Sequence, residues 1–347
     1  MNVVIDTSPL SSNHSGRGIG VYTKHLIDAL QTYESKHSYI LSDSKKIDYK
    51  KADIIHYPYF DPFFLTLPLR SPKPSVVTVH DLIPLVFPKH FPKGIRGALK
   101  WEIQKMALRT KERILTDSEC SKADIARITG IKKDRIDVTL LAPSLYPSKE
   151  LGKERIRIEG LQTQYFLYVG DVNWNKNVPG LLAAFASFHA THTPIQLILV
   201  GKAFCDEFLT ESHNIQAIIT DLGIQKSVLR PGYVSDDVLR TLYAHAIALI
   251  QPSYYEGFGF PVLDAMNLGC PVITSQASSL KEILGPSRAI DPQDMQSFVK
   301  AMDDIYTMEK EERVDLIEKG YAWVKKFTWQ ETAKHTVEAY EKVLGKK

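Results

Sequence analysis

The sequence contains few cysteines and almost no excess of charge of either sign. Its three cysteines, Cys120, Cys205 and Cys270, form no CxxC pair among 347 residues. Their odd number and wide spacing argue against a disulfide framework and against a zinc site, and they favour a reducing compartment. The net charge of +3 results from 43 basic and 40 acidic residues. This balance does not indicate a nucleic-acid-binding protein, so we expect no nucleic-acid partner and only local basic sites.

Long apolar runs are also missing. No stretch approaches the roughly 20 apolar residues that a membrane-spanning helix needs. The N-terminal sequence MNVVIDTSPL has only three apolar residues in a row before Asp6, which is too few for a secretory signal. We therefore expect a cytoplasmic protein, whose only membrane contact would be peripheral at the cytoplasmic face.

The composition is that of a globular protein, with 44% hydrophobic and 24% charged residues. At about 150 residues per domain, the length predicts two domains. Short β-branched runs alternate with helical patterns in two series, which predicts two parallel sheets covered by helices on both faces. The predicted strands include NVVID, ADIIHY, SVVTVH, RILTD and RIDVTLL in the first series, and YFLYVG, IQLILVG, SVLRPG, IALIQP and CPVITS in the second. Between the series, residues 142–164 are rich in charge and proline, which is typical of a linker.

Two Rossmann-like sheets predict a ligand cleft at the carboxyl ends of their strands. The first motif there, SGRGIGVYTKHL, contains Gly16, Gly18 and Gly20 at the start of a helix. Glycines let the backbone approach a ligand, and a helix N-terminus attracts anions. The glycines are spaced GxGxG, whereas nicotinamide-binding proteins have GxGxxG. A plain Gly-rich turn is the alternative interpretation.

Two further motifs lie in the second series. In YVGDVNWNKN, Lys176 precedes a predicted helix, where its ammonium suits a diphosphate; a surface lysine is the alternative. In PSYYEGFGFPVLDAMNLG, Glu256 precedes a Gly-rich loop whose amides at Gly257–Phe260 suit oxygen ligands. Glu256 suits sugar hydroxyls and Asp264 suits a vicinal diol such as a ribose, although Asp264 also fits an acidic helix start that interacts with the helix dipole.

In this order, the motifs resemble the retaining glycosyltransferases of family 4, which have the GT-B fold, and among these the mannosyltransferase-like branch. The resemblance rests on the Gly-rich loop, VVTVHDLIPLVFP, TDSECSKADI, YVGDVNWNKN, GYVSDD, YEGFGFPVLDAMNLGCPVI and FTWQETA. It implies two Rossmann-like domains that face a central cleft. Residues 1–145 would bind the acceptor, completed by a C-terminal helix at 330–347 that crosses back, and a linker at 146–164 would lead to a nucleotide-sugar domain at 165–329.

The resemblance also implies roles for single residues. His80 and Glu256 match positions at the reacting sugar. The implied donor-binding positions are Gly16, Gly18, Lys176, Tyr233, Glu256, Gly257, Phe258, Gly259, Phe260 and Asp264. The chain departs from the family pattern at Asp264, where the family has glutamate, and at Asp171, where it commonly has arginine. Asp171 places a carboxylate where a cation for the phosphates is expected.

The function implied is the transfer of a hexose, mannose or a similar sugar, with retention, to a glycan or lipid-linked glycan. The donor would be a nucleotide diphosphate sugar as co-substrate, with GDP favoured over UDP, and no cofactor or metal is expected. The alternatives are another GT-B enzyme, such as a sugar-nucleotide epimerase or a phosphorylase, and an inactive scaffold. Pyridoxal phosphate on a lysine would identify a phosphorylase, and absent donor binding would favour a scaffold.

Residues 89–113 carry eight Lys or Arg and two Glu with interleaved apolar residues. A basic amphipathic helix of this kind suits an anionic membrane surface. A solvated helix packed on the first sheet is the interpretation we favour on sequence alone. Aromatic residues in HYPYFDPFF suit an acceptor platform or the core equally well.

Overall fold

The computed structural model describes residues 1–11, 18–43, 48–148 and 158–345. The chain forms two compact units, which are unit 1 (Met1–Ser144 with Phe327–Lys347) and unit 2 (Leu145–Lys326). Each unit is built on a parallel sheet, which confirms the predicted α/β class with two such domains. Gly16 and residues 149–157 of the predicted linker lie outside the described residues.

Unit 1 contains, within the described residues, a six-stranded sheet of order β2-β1-β3-β4-β5-β6 in which all neighbours are parallel. Its strands are β1 (Asn2–Asp6), β2 (Ser38–Ser42), β3 (Ile54–Tyr57), β4 (Ser75–Thr78), β5 (Arg113–Thr116) and β6 (Ile136–Val138). Its helices are α1 (Ser8–Ser11), α2 (Gly18–Tyr33), α3 (Ile83–Val86), α4 (Gly94–Arg109), α5 (Glu119–Thr129) and, from the C-terminal segment, α13 (Trp329–Val343). The central strands β3 and β4 are buried throughout, as expected for a parallel sheet covered on both faces.

The C-terminal helix α13 packs on α2 and is tied into unit 1 by polar contacts. Thr328 caps its N-terminus by accepting a hydrogen bond from the Glu331 N–H. The Tyr340 hydroxyl lies 2.6 Å from His56 Nδ1, and His56 Nε2 lies 2.8 Å from the Thr78 hydroxyl. The indole of Trp329 donates to the Pro143 carbonyl at 2.9 Å. These buried contacts fix the helix to the interior strands β3 and β4 and not only to the surface of the sheet.

Unit 2 contains, within its described part, a six-stranded parallel sheet of order β12-β11-β10-β7-β8-β9. Its strands are β7 (Tyr165–Val169), β8 (Gln196–Val200), β9 (Val228–Gly232), β10 (Leu249–Gln251), β11 (Val272–Ser275) and β12 (Arg288–Ile290). Its helices are α6 (Val178–His189), α7 (Thr210–Asp221), α8 (Asp236–His245), α9 (Phe260–Asn267), α10 (Leu280–Ile283), α11 (Met295–Tyr306) and α12 (Lys310–Val324). The strand order reverses between β7 and β10, which places a topological switch point at their carboxyl ends.

The strands β2 and β12 are absent from the strands that the sequence predicts. Both lie at an edge of their sheets, and β2 contains exposed and half-buried residues instead of a continuous buried run. No helix in the described ranges is long and apolar enough to cross a membrane.

Candidate functional site

The switch point of unit 2 brings together two side chains that the sequence analysis selected separately. Lys176 follows β7, and Glu256 follows β10, the strand beside it. The Lys176 Nζ lies 2.8 Å from Glu256 Oε1 and 2.7 Å from Oε2, so the ammonium donates to both carboxylate oxygens. Glu256 is only 5% exposed, whereas the Lys176 side chain is 21% exposed. The pair is therefore a largely buried ion pair whose cation still reaches solvent.

Glu256 has further donors that the sequence analysis did not identify. Gln251 Nε2 donates to Glu256 Oε1 at 2.8 Å, and the Ser253 hydroxyl donates to the same oxygen at 2.7 Å. Gln251 is the last residue of β10, and Ser253 lies between this strand and Glu256. Their position at the end of a strand is the only signal that the sequence offers for them. Lys176 balances the charge of the Glu256 carboxylate, and the three donors together occupy most of its lone pairs.

The two loops that carry the ion pair are attached to each other. Asn175 accepts a hydrogen bond from the Tyr254 N–H at 2.8 Å and donates through Nδ2 to the Tyr255 carbonyl at 2.9 Å. The rings of Trp174 and Tyr254 stack with centroids 5.0 Å apart. These contacts between neighbouring residues hold the loops of Lys176 and Glu256 together.

The Gly-rich loop after Glu256 has a backbone that requires glycine. Gly259 has a φ of 117° at the N-cap of α9, and a Cβ there would lie 2.7 Å from Leu280 Cδ2. The Ser279 hydroxyl donates to the Glu256 and Phe258 carbonyls at 2.9 and 3.0 Å. These contacts hold the loop in place at the start of a helix, and a helix N-terminus is suited to anionic oxygens.

The two positions that depart from the family pattern are both engaged locally. Asp264 is buried on α9, and its Oδ1 accepts the Leu145 N–H at 3.0 Å. Burial, and next the charge of Asp264, raises the pKa of Tyr243 well above its usual value. Asp171 Oδ1 accepts the N–H of Val172 at 2.8 Å. Both carboxylates therefore have a backbone partner within unit 2.

The other predicted donor-binding positions are less enclosed. Gly18 is the exposed first residue of α2 in unit 1, and Tyr233 is an exposed residue that follows β9 in unit 2. Phe258 is buried and lies edge-on to Phe260, with ring centroids 5.7 Å apart. Among the predicted positions of unit 2 that the structure describes, Glu256 contacts Lys176 directly.

In unit 1, His80 follows β4 and meets Asp117, which follows β5. His80 Nδ1 donates to Asp117 Oδ2 at 2.6 Å, and His80 Nε2 lies 3.2 Å from the Pro58 carbonyl. Burial lowers the pKa of His80, but the charge and hydrogen bond of Asp117 raise it more, so the pKa lies above its usual value. Since both ring nitrogens face oxygen acceptors, the protonated imidazolium fits this site.

Asp117 is a residue that the sequence analysis did not select. It is buried, and its Oδ1 has no hydrogen-bond partner within the described part of the chain. The ring of Tyr22 packs edge-on against His80 at a centroid distance of 4.7 Å, and its hydroxyl lies 2.9 Å from that of Thr78. His80 is thus oriented by a carboxylate on one side and by an aromatic ring on another.

Comparison with known proteins finds two family models. The model "Glycosyltransferase Family 4" matches residues 22–139, and "Glycosyl transferases group 1" matches residues 153–323. O-antigen chain mannosyltransferase B of Escherichia coli is 30% identical over 321 residues, which cover 88% of this chain and 79% of that protein. An MMP alpha-(1->4)-mannosyltransferase of Mycolicibacterium hassiacum is 30% identical over 252 residues, or 71% of this chain and 57% of that one. Sucrose-phosphate synthase from Thermosynechococcus elongatus has a similar structure, with a TM-score of 0.76, 18% identity and 99% of both chains covered.

Proposed function

The chain belongs to the family 4 (group 1) glycosyltransferases. From this membership we propose that it transfers a mannose-like hexose from a GDP-linked sugar to a glycan or lipid-linked glycan, with retention and with release of GDP. The mannose assignment is supported by the two relatives that are named mannosyltransferases. The acceptor class is supported by the name of the Escherichia coli relative, which acts on an O-antigen chain. The geometric observation that carries the proposal is the pair of Lys176 and Glu256 at the switch point of unit 2.

The chemistry to be catalysed separates charge. Breaking the bond between the anomeric carbon and the diphosphate oxygen builds positive charge on the sugar and negative charge on the leaving group. Fixed donors at the leaving group are therefore the main means of lowering the barrier. Lys176 and the amides of Gly257–Phe260 are the donors we assign to this role. We expect this charge to suffice without a metal ion, so that activity persists in EDTA.

The state of Glu256 bears on how retention would be achieved. Its Oε1 accepts from Lys176, Gln251 and Ser253, and its Oε2 accepts from Lys176. A carboxylate with this many donors is a poor nucleophile, which argues against a covalent sugar intermediate on Glu256. We propose that the acceptor oxygen attacks the face from which the diphosphate departs. The acceptor proton passes to the leaving phosphate oxygen as the new glycosidic bond forms.

His80 is assigned a positioning role in the same proposal. Both of its ring nitrogens face oxygen acceptors in unit 1, so it lacks a free lone pair with which to remove a proton. Its positive charge, maintained by Asp117, is suited to orienting sugar oxygens. This assignment predicts that His80→Gln lowers kcat and leaves the acid side of the pH profile unchanged, whereas replacement of a general base would remove its acid limb.

The test is a thermal-unfolding panel with GDP, UDP, ADP and dTDP and their sugar conjugates. A ligand present at about 100 times its Kd stabilises the native state by about 2.7 kcal/mol, which is a clear shift of the midpoint. Stabilisation by GDP and GDP-mannose is expected. A shift with UDP alone would overturn the donor assignment, and no shift with any nucleotide would favour an inactive scaffold. NMR of the anomeric proton in the product then decides between retention and inversion.

A further inference from the structure

A chain of four polar side chains crosses the interior of unit 1. It runs from Tyr340 on α13 through His56 on β3 and Thr78 on β4 to Tyr22 on α2. The Tyr340 hydroxyl lies 2.6 Å from His56 Nδ1, and His56 Nε2 lies 2.8 Å from the Thr78 hydroxyl. That hydroxyl lies 2.9 Å from the hydroxyl of Tyr22. All four side chains are fully buried, so the chain joins four elements without contact with solvent.

The hydrogen bonds of this chain have a definite direction at His56. Its pKa of about 3, lowered by burial and next by the charge of His80, makes the imidazole neutral near pH 7. A neutral imidazole has one N–H donor and one acceptor nitrogen. Within the described part of the protein, the Tyr340 hydroxyl has His56 as its only hydrogen-bond partner, so it donates to Nδ1. The imidazole proton is therefore on Nε2, which donates to Thr78.

Thr78 and Tyr22 connect this imidazole to His80. Thr78 and His80 are two positions apart at the end of β4, so strand alternation directs both side chains to the same face of the sheet. The Tyr22 ring packs edge-on against His80, with centroids 4.7 Å apart and ring planes 84° apart. Burial, and next the charge of Asp117, raises the pKa of Tyr22, so its hydroxyl stays protonated. Tyr22 thus contacts His80 through its ring and is held through its hydroxyl.

Attachment of α13 does not by itself explain the chain. Trp329 and Thr332 of the same helix already donate to the carbonyls of Pro143 and Leu140, at 2.9 and 2.7 Å. Apolar groups of the same shape can replace both partners of a buried hydrogen bond at little cost in stability. What a satisfied polar network adds is a single fixed arrangement of its members. In this network, the fixed arrangement includes the ring that packs on His80.

We propose that Tyr340 is a positioning residue for His80. Its hydroxyl sets the tautomer of His56, and the chain from His56 to the Tyr22 ring transmits this constraint to the imidazole of His80. The inference rests on the proposed function, in which His80 orients sugar oxygens. It adds that α13, which follows unit 2 in the sequence, contributes to the geometry of that residue in unit 1.

The first experiment records the ring signals of labelled histidines in the full chain by NMR, without a sugar donor. In the wild type, the nitrogen chemical shifts of His56 are expected to show the neutral tautomer with the proton on Nε2. Tyr340→Phe retains the ring, removes the first hydroxyl of the chain and is expected to shift the ring signals of His80. Unchanged His80 signals in this variant, or a His56 proton on Nδ1 in the wild type, would overturn the proposal.

Tyr165→Phe is the matched control for the NMR experiment. Tyr165 is a buried tyrosine of unit 2 whose hydroxyl donates to the Leu242 carbonyl at 2.9 Å. Its replacement removes one buried hydroxyl of the same kind and is expected to leave the His80 signals unchanged. Equal shifts of the His80 signals in Tyr165→Phe and Tyr340→Phe would overturn the proposal, because they would reflect a general loosening of the fold.

Turnover of GDP-mannose gives the second readout, from a double-mutant cycle. Tyr340→Phe and Tyr22→Phe are each expected to lower kcat about fivefold, which is the factor for one net hydrogen bond. The two hydroxyls are separated by His56 and Thr78, so independent structural losses would multiply to about 25-fold in the double variant. If both substitutions break one chain, the double variant instead loses about fivefold. Multiplied losses, or an unchanged kcat in Tyr340→Phe, would overturn the proposal.

Thr78 offers a rescue by a conservative substitution. Thr78→Val removes the hydroxyl and is expected to lower kcat as Tyr340→Phe does, whereas Thr78→Ser retains the hydroxyl and is expected to remain within about twofold of the wild type. Equal losses in the two Thr78 variants would overturn the proposal. All variants are assayed below their thermal midpoints, so that a smaller folded fraction does not imitate a displaced His80. Absence of turnover in the wild type would refute the proposed function, while the NMR experiment would still test the positioning of His80.

Discussion

Replacing Glu256 with glutamine is expected to strengthen the binding of free GDP while it impairs turnover of the sugar donor. Both oxygens of Glu256 accept hydrogen bonds from the ammonium of Lys176, at 2.8 and 2.7 Å. A diphosphate that binds Lys176 has to compete with this carboxylate and is also repelled by it. Glutamine retains the size of the side chain and an acceptor for Gln251 and Ser253 but removes the charge.

The magnitude follows from the geometry. Two unit charges about 4 Å apart interact by about 4 kcal/mol at an effective dielectric constant near 20, and partial solvent access to Lys176 screens this value. A net gain of about 1–2 kcal/mol corresponds to a GDP affinity about 5- to 30-fold higher. Calorimetric titration of GDP measures this directly, with Glu211→Gln, an exposed position on α7, as the control for the charge change.

The same pair also contributes to stability. Lys176→Met leaves a buried carboxylate with only the neutral donors Gln251 and Ser253 and is expected to lower the free energy of unfolding by about 2–3 kcal/mol. Adding Glu256→Gln to this variant should restore most of that loss. Parallel losses of GDP and donor binding in Glu256→Gln, at a normal unfolding midpoint, would refute the competition between the carboxylate and the diphosphate.

Three further outcomes follow from single positions. In Asp117→Asn, burial is opposed only by the smaller effects of the Asp81 charge and the Pro58 carbonyl, so the pKa of His80 is expected to fall in an NMR titration. In the wild type, the raised pKa of His80 stabilises the fold below about pH 6.5, and this gain is lost as pH rises through the folded pKa. Burial, and next the charge of His80, lowers the pKa of His56 to about 3. The free energy of unfolding, measured in denaturant, should therefore fall by about 1.4 kcal/mol per pH unit from pH 6.5 down to pH 3. His56→Asn should abolish this dependence on pH. Gly259→Ala, with a Cβ 2.7 Å from Leu280 Cδ2, should lower the unfolding free energy by about 1–3 kcal/mol, and an unchanged midpoint would contradict the strained turn.

The fold was largely predictable because its interior strands are continuous buried runs. The strands β3, β4, β7 and β8 show this pattern clearly. The edge strand β12, with the sequence RAI, has only three residues and one buried position. Such a strand is defined by its neighbour and not by its own composition, so periodicity in the sequence does not reveal it.

The candidate site was predictable as separate residues but not as an assembly. Lys176 and Glu256 each carry a local signal, a strand end followed by a helix start. Their contact joins positions 80 residues apart, and it exists because β10 returns to lie beside β7. Asp117 gave no signal because its partner, His80, is 37 residues away on the neighbouring strand. Contacts between strand ends depend on strand order, which a single sequence does not specify.

The return of α13 to unit 1 has a consequence for synthesis on the ribosome. His56 and Tyr340 are 284 positions apart, and the whole of unit 2 is translated between them. At about 5–20 residues per second, the partner of His56 emerges about 15–60 s after His56 itself. During that interval unit 2 can complete its fold as a continuous stretch of chain, whereas the nascent unit 1 leaves uncovered the side of α2 that α13 later packs against. Unit 1, whose translation begins first, is therefore the last unit to complete its fold.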